Sequence, residues 1–256
     1  MQLNTITLGT SSIYCVNPAE VPIVYNQVQG YLKHGIHLKE DDIVFDVGAN
    51  IGLFSLWAAQ HYSNIYIYAF EPVPLLFEAL NKNFQQTDPN RLRAFPFGLG
   101  RENATVTFAC HSHATAMSTA YPYTQQEKAE FQQFILNNLS ETRRAELQSK
   151  LESIFETEPI ECQLRTGSEV IQEINPPKID LLKIDVEKAE MDVILGFTPD
   201  DWLKVRQVVI EIHNLDNRLD AIQSLLSQAG FKILAIDQDD MFKGSNIYNL
   251  YASRTI

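Results

Sequence analysis

Residues 43–56, Ile-Val-Phe-Asp-Val-Gly-Ala-Asn-Ile-Gly-Leu-Phe-Ser-Leu, leave this chain few ways to fold. Ile43, Val44 and Phe45 are β-branched or aromatic, Asp46 follows, Gly48 and Gly52 flank Asn50, and an apolar helical pattern continues through Leu53, Leu56 and Trp57. Such a pattern reads as a strand, a tight turn and a helix. Gly48 opens backbone angles closed to other residues, and Gly52 lets the start of the helix pack close to a ligand. An adenosine-bearing molecule is therefore expected against bare backbone at the end of the strand, as in doubly wound α/β folds.

The spacing separates two kinds of ligand. Dinucleotide binders use G-x-G-x-x-G to bring a pyrophosphate onto a helix N-terminus. Here the pattern is D-x-G-x-x-x-G, from Asp46 to Gly52. A carboxylate at Asp46 repels a pyrophosphate but suits the ammonium group or the sulfonium region of S-adenosylmethionine. A second strand, Ile65 to Phe70, ends in Glu71, whose carboxylate is placed to accept both hydroxyls of a ribose. Glu71 does not discriminate, because a nicotinamide dinucleotide carries the same diol; Asp46 does.

The rest of the chain supplies a mainly parallel sheet. Residues 1–42 read as an N-terminal cap: β-like runs near Thr5 to Leu8 and Ser12 to Val16, then an amphipathic segment from Val21 to His34. Its Tyr25, Tyr31, Lys33 and His34 either close over a cofactor edge or simply cover the sheet. Further core strands are expected at Leu92–Phe97, Ile179–Asp185, Val205–His213, Phe231–Asp237 and Asn249–Ser253, with helices at Leu75–Phe84, Val186–Leu195 and Arg218–Gln228. Thr105–Cys110 and Pro159–Leu164 look like added strands, and Ser168–Ile174 like a short helix. The predicted fold is α/β: a doubly wound, mainly parallel, seven-stranded Rossmann-like sheet over residues 43–256. The last two strands lack a helix between them, which predicts an antiparallel edge. Residues 124–155 have the spacing of two amphipathic helices broken near Asn137 to Ser140, and are expected to form an inserted helical lid over the substrate mouth.

Composition narrows the partners. The net charge is −12, with 45% hydrophobic and 20% charged residues, so neither nucleic acid nor an anionic membrane would meet a basic face. Cys15, Cys110 and Cys162 are widely spaced, which suggests neither a disulfide framework nor a structural zinc site. The sequence shows no leader pattern and no long uncharged apolar run, so a cytoplasmic location is expected.

In an open parallel sheet, ligands bind beyond the carboxyl ends of the strands, which places Asp46, Glu71, Gly98, Asp185 with Glu187, and Glu211 with His213 together. Gly98 permits close approach of a flat ring and is assigned to the adenine side. Glu211 and His213 alternate onto one face of their strand, so Glu211 is expected to orient the imidazole and favour its protonated form. An aliphatic alcohol does not ionise at neutral pH, so its methylation needs a positioned base. His213 is the candidate; its rival role is a satisfied histidine at a strand end. Asp185 and Glu187 are expected to bind the methionine amino group or shape the substrate pocket rather than hold a metal. No metal is expected, because a sulfonium leaving group already activates the methyl carbon, and activity should be insensitive to chelators. Lys183 is expected to pair with an acid. Cys110-His111-Ser112-His113 resembles a metal cluster but lacks a complementary second pair, and His111 or His113 is expected to face the substrate instead.

Val44-Phe45-Asp46-Val47-Gly48-Ala49-Asn50-Ile51-Gly52, Ala69-Phe70-Glu71-Pro72 and the run from Ile179 to Glu187 resemble the FkbM-type family of S-adenosylmethionine-dependent O-methyltransferases. The family usually has glycine where Lys188 stands, in D-V-E-G-x-E. Residues 31–36, Lys188, and Asp201-Trp202 leading into Glu211-Ile212-His213 resemble the branch embedded in polyketide synthase and hybrid nonribosomal peptide assembly lines. The resemblance implies methylation of a hydroxyl on an intermediate tethered to an acyl carrier protein, beside neighbouring assembly-line domains. It also implies cofactor roles for Asp46, Gly48, Asn50, Gly52 and Glu71 and a catalytic role for His213. A methyltransferase for free sugars or small alcohols, a nicotinamide-dependent oxidoreductase and a non-catalytic adenosine-binding module are the alternatives.

Overall fold

The computed structural model describes residues 2–137 and 151–254. The chain opens with a hairpin, β1 (Asn4–Leu8) and β2 (Ser11–Cys15), and a helix, α1 (Val21–Val28). It then alternates β3 (Ile43–Val47), α2 (Leu53–His61), β4 (Tyr66–Phe70), α3 (Pro74–Thr87) and β5 (Leu92–Phe95). An outlying group follows: β6 (Gly98–Gly100), β7 (Ala104–His111), α4 (Gln125–Asn137) and β8 (Thr157–Thr166). The main rhythm resumes with α5 (Gly167–Ile174), β9 (Leu181–Ile184), α6 (Glu190–Leu195), α7 (Pro199–Trp202), β10 (Gln207–His213), α8 (Arg218–Gln228), β11 (Lys232–Asp237) and β12 (Ile247–Ser253).

Seven strands form one sheet in the order β11-β12-β10-β9-β3-β4-β5. Only β12 runs against the others, pairing antiparallel with both β10 and β11, so the reversed strand lies one in from the edge. Strands β4 and β5 extend the sheet to one side of β3, and β9 and β10 to the other. The carboxyl ends of β3 and β9 therefore meet at the point where the winding reverses, which is where such sheets bind ligands. Strands β6, β8 and β7 form a separate three-stranded sheet. Gly98 thus begins a strand of that second sheet rather than ending β5, because β5 stops at Phe95.

Side-chain alternation divides the core in two. Val44, Leu181 and Val209 pack with α1, α2 and α3, whereas Phe45, Leu182 and Val208 pack with α5, α6, α7 and α8. Asp46, Lys183, Glu211 and His213 have the parity of the first group. Every charged side chain within the three central strands therefore emerges on the α1–α3 face.

Within the amphipathic segment from Val21 to His34 the helix α1 ends at Val28, and His34 and Gly35 both take positive φ. Freed from the helix, Lys33 and His34 pair with Asp237 at 3.1 and 2.7 Å, and only Tyr31 turns inward. The first helix of the expected insertion is α4; of the second, residues 151–153 are helical and residues 138–150 fall outside the described residues. Among the described residues no helix is long and apolar enough to cross a membrane.

The turn after β3 depends on Gly48. Its φ is +75°, and a Cβ there would lie 1.8 Å from the backbone carbonyl oxygen of Asp185. Gly48→Ala is expected to cost at least ~2 kcal/mol, lowering the melting temperature by roughly 4–8 °C. Unchanged thermal unfolding would show that the turn does not need a residue without Cβ.

Candidate active site

A cavity of about 660 Å³ opens at the carboxyl ends of β3, β4, β9 and β10. Gly48, Asn50, Glu71, Gly98, Asp185 and, at the far end, Glu211 with His213 all line it. Asp46 and Gly52 do not. Gly52 starts α2 at φ +89°, and a Cβ there would meet the Leu80 side chain at 2.6 Å, so its bareness serves the packing of α2 on α3.

Asp46 is completely buried; it accepts a hydrogen bond from Ser55 Oγ at 2.6 Å and pairs with Lys183 Nζ at 3.1 Å. Its charge is spent on that lysine rather than presented to a ligand. Lys183 also donates to the Gly48 carbonyl at 2.9 Å and lies 3.5 Å from Asp185. Asp185 is the carboxylate that faces the cavity, held by the Tyr31 hydroxyl at 2.8 Å. Glu71 accepts from the backbone N–H groups of Asn50 and Val73, each at 2.9 Å. A carboxylate has about four acceptor sites, so two remain for a diol. Asn50 takes φ +51°, a conformation asparagine tolerates, and that aims its N–H at Glu71.

At the opposite end the imidazole of His213 is held on both sides. Nδ1 lies 2.9 Å from Glu190 and Nε2 3.2 Å from Glu187. Glu211, expected to orient this ring, instead accepts from Gln27 Nε2 at 2.9 Å. Side chains two apart on a strand share a face, but the Glu211 carboxylate is taken up by Gln27, whereas Glu190 is brought to the ring from another element. Positive φ at Glu187 (48°) and Lys188 (77°) folds the chain back after β9 and delivers both Glu187 and Glu190 to the ring. Glu190 is anchored by Arg218 Nη1 at 2.8 Å and by the Lys188 N–H at 2.9 Å. Tyr123 donates to Glu187 at 3.0 Å, and Lys188 reaches across the Tyr123 ring to Glu127 of α4 at 2.7 Å. Sequence reasoning missed Glu190, Arg218 and Tyr123. Only Glu190 left a trace, as the last acid of the D-V-E-K-A-E run. His111 and His113 do not line the cavity; His111 is buried against the Ile154 carbonyl, at 2.7 Å.

A family model described as the methyltransferase FkbM domain matches residues 46–233. The chain is similar to the 31-O-demethyl-FK506 methyltransferase FkbM of Streptomyces tacrolimicus, 35% identical over 94% of this chain and 92% of that one. It is also similar to the AMB antimetabolite synthetase AmbE of Pseudomonas aeruginosa, 34% identical over 93% of this chain, which spans 12% of that larger protein. Among solved structures, a precorrin-6y C5,15-methyltransferase from Geobacter metallireducens is 13% identical, with a TM-score of 0.48 over 91% of this chain and 88% of that one.

Burial and charge set the protonation of the site. Burial opposes a charge on His213, but Glu187 and then Glu190 outweigh it and hold the imidazole pKa well above its ordinary value. Burial, followed by repulsion from Asp185 and Glu187, holds the Glu211 carboxyl well above the carboxylate range. Burial also raises Glu71 to about 7, against the lowering effect of its two backbone hydrogen bonds. For each of these groups the folded state binds a proton more tightly than the unfolded chain, so each contribution to stability falls as pH rises. For Glu211 the decline begins near the unfolded value of about 4.3 and for His213 near about 6.5. Glu211→Gln stays neutral throughout and removes the carboxyl part. Its melting temperature relative to the unsubstituted chain is expected to rise between pH 5 and pH 8. Melting curves that keep a constant offset across that range would contradict the raised Glu211 pKa.

Proposed function

The chain belongs to the FkbM-domain methyltransferases, and on that footing we propose that it methylates a hydroxyl group of a polyketide or polyketide-peptide intermediate carried on an acyl carrier protein. Its methyl donor is S-adenosylmethionine. The observation that carries the reading is a single cavity lined by the carboxylates of Glu71 and Asp185 and by a carboxylate-clamped histidine, His213.

The residues present fit that donor. Glu71 has acceptor sites left for the ribose hydroxyls, residues 48–51 line the cavity beside it, and Asp185 offers a carboxylate to the methionine ammonium. When bound, the sulfonium supplies an electrophilic methyl carbon. The protein's part is to hold the hydroxyl in line and to take its proton. His213 Nε2 is the acceptor in this reading. Because Glu187 and Glu190 keep the ring protonated, it accepts only after losing that proton, so turnover should rise with pH through a limb above about 6.5.

Apolar and aromatic side chains such as Val24, Met117, Phe108 and Phe131 line the same cavity, which suits an aliphatic acceptor better than a sugar. The Streptomyces relative is named for methylating an oxygen of demethyl-FK506, which supports a hydroxyl acceptor, and the Pseudomonas relative is a synthetase, which supports an assembly-line setting. The helix α4, tied to the site loop through Glu127 and Lys188, is proposed as part of a lid over the substrate mouth.

Calorimetry is expected to show binding of S-adenosylmethionine and not of a nicotinamide dinucleotide. His213→Ala should leave donor binding intact and lower methylation of a carrier-bound β-hydroxyacyl chain, followed by mass spectrometry, by about 10²–10⁴-fold. Full turnover in that variant would remove His213 from the reaction. Equal rates on carrier-bound and free hydroxyl compounds would remove the carrier protein.

A further inference from the structure

The proton-acceptor role uses only His213 Nε2 and leaves Glu211 without a task. Glu187, Glu211 and His213 each bring a donor atom within 4.8 Å of the others. Glu211 and His213 are each only 3% exposed. Two carboxylates, those of Glu187 and Glu211, thus face one part of the cavity beside the imidazole. The buried lysines around it are engaged elsewhere, Lys183 by Asp46 and Asp185 and Lys188 by Glu127.

Two further observations point to what this corner would hold. The first is the far side of the ring: His213 Nδ1 faces Glu190, which Arg218 and the Lys188 N–H hold in place. Metal-bound histidines have this arrangement, with one N–H given to a carboxylate so that the other nitrogen presents its lone pair to the ion. The second lies on the neighbouring strand. Asn249 is directly across the β10–β12 ladder from Glu211, so the two side chains share a face. Asn249 is 2% exposed, and its Oδ1 has no hydrogen-bond partner. A buried amide oxygen is costly to leave without a partner.

We infer that Glu187, Glu211 and His213 Nε2 form a binding site for a divalent cation, with the Asn249 amide oxygen beside Glu211 as a further oxygen donor. One imidazole among carboxylate and carbonyl oxygens suits Mg²⁺ or Mn²⁺. The site stands on geometry alone; its chemical role rests on the methyl-transfer reading. A sulfonium activates the methyl carbon but does nothing for the attacking oxygen. Coordination of the substrate hydroxyl lowers its pKa, so the O–H proton leaves to water as the C–O bond forms and the C–S electron pair stays on sulfur. In the ion-loaded site His213 is a ligand, and coordination rather than the imidazole ionises the hydroxyl. The chelator insensitivity expected from the leaving group alone would then fail.

The test is Mn²⁺ binding to chelator-treated, desalted protein, read by the loss of the free-ion electron paramagnetic resonance signal and by competition with Mg²⁺. One site per chain is expected. Glu211→Gln, which keeps the side chain's shape, and Glu187→Gln should each weaken binding by at least about tenfold; circular dichroism verifies that each variant is folded. The absence of binding, or binding that both variants leave unchanged, would overturn the site. Either result would leave His213 as proton acceptor, because calorimetry with S-adenosylmethionine on the same preparation reports separately on the methyl-transfer reading.

Discussion

A buried ammonium ion at the middle of the sheet is the constraint around which this molecule is arranged. Lys183 lies on β9, between β3 and β10, and only 3% of it is exposed. Burial alone would lower its pKa, but Asp46 and Asp185 reverse that and raise it. Removing either partner of such a buried pair typically costs about 3–5 kcal/mol, since it strands a charge without solvent. The same contacts arrange the ligand end of the cavity. The lysine fixes the Gly48 carbonyl and faces Asp185, and its charge helps to restrain the pKa of Glu71.

Charge balance has the opposite sign at the other end. There carboxylates outnumber cations, and His213 and Arg218 answer Glu187 and Glu190 but leave Glu211 with an amide alone. The loop that gathers these acids takes left-handed backbone angles at two consecutive non-glycine residues, Glu187 and Lys188. Such conformations cost of order 1–3 kcal/mol each and persist where surrounding contacts compensate. Here the compensation for Lys188 is visible: its side chain lies 3.7 Å from the Tyr123 ring centroid and ends on Glu127. A glycine would relieve the strain but would also release α4 from the loop beneath it.

Much of the site was legible because strands place polar residues by position. Glu71, Asp185, Glu211 and His213 end apolar runs, and all four line one cavity. The misreadings arose where a partner came from elsewhere in the chain. Asp46 looked like a ligand-facing charge because its counterion, Lys183, is 137 positions away in sequence. Glu211 looked like the partner of His213 because it is near in sequence, while Glu190 arrives through a reversal of backbone that no periodicity announces.

Hydrophobic alternation, the glycine at position 48 and the order of strand and helix patterns determined the fold class, the end of the sheet where ligands bind and most of the residues found there, because these depend on local backbone preference and side-chain period. Tertiary structure alone decided which acid neutralises which base. Pairing across a sheet depends on strand order and register, and those bring Lys183 to 3.1 Å from Asp46 regardless of the length of chain between them.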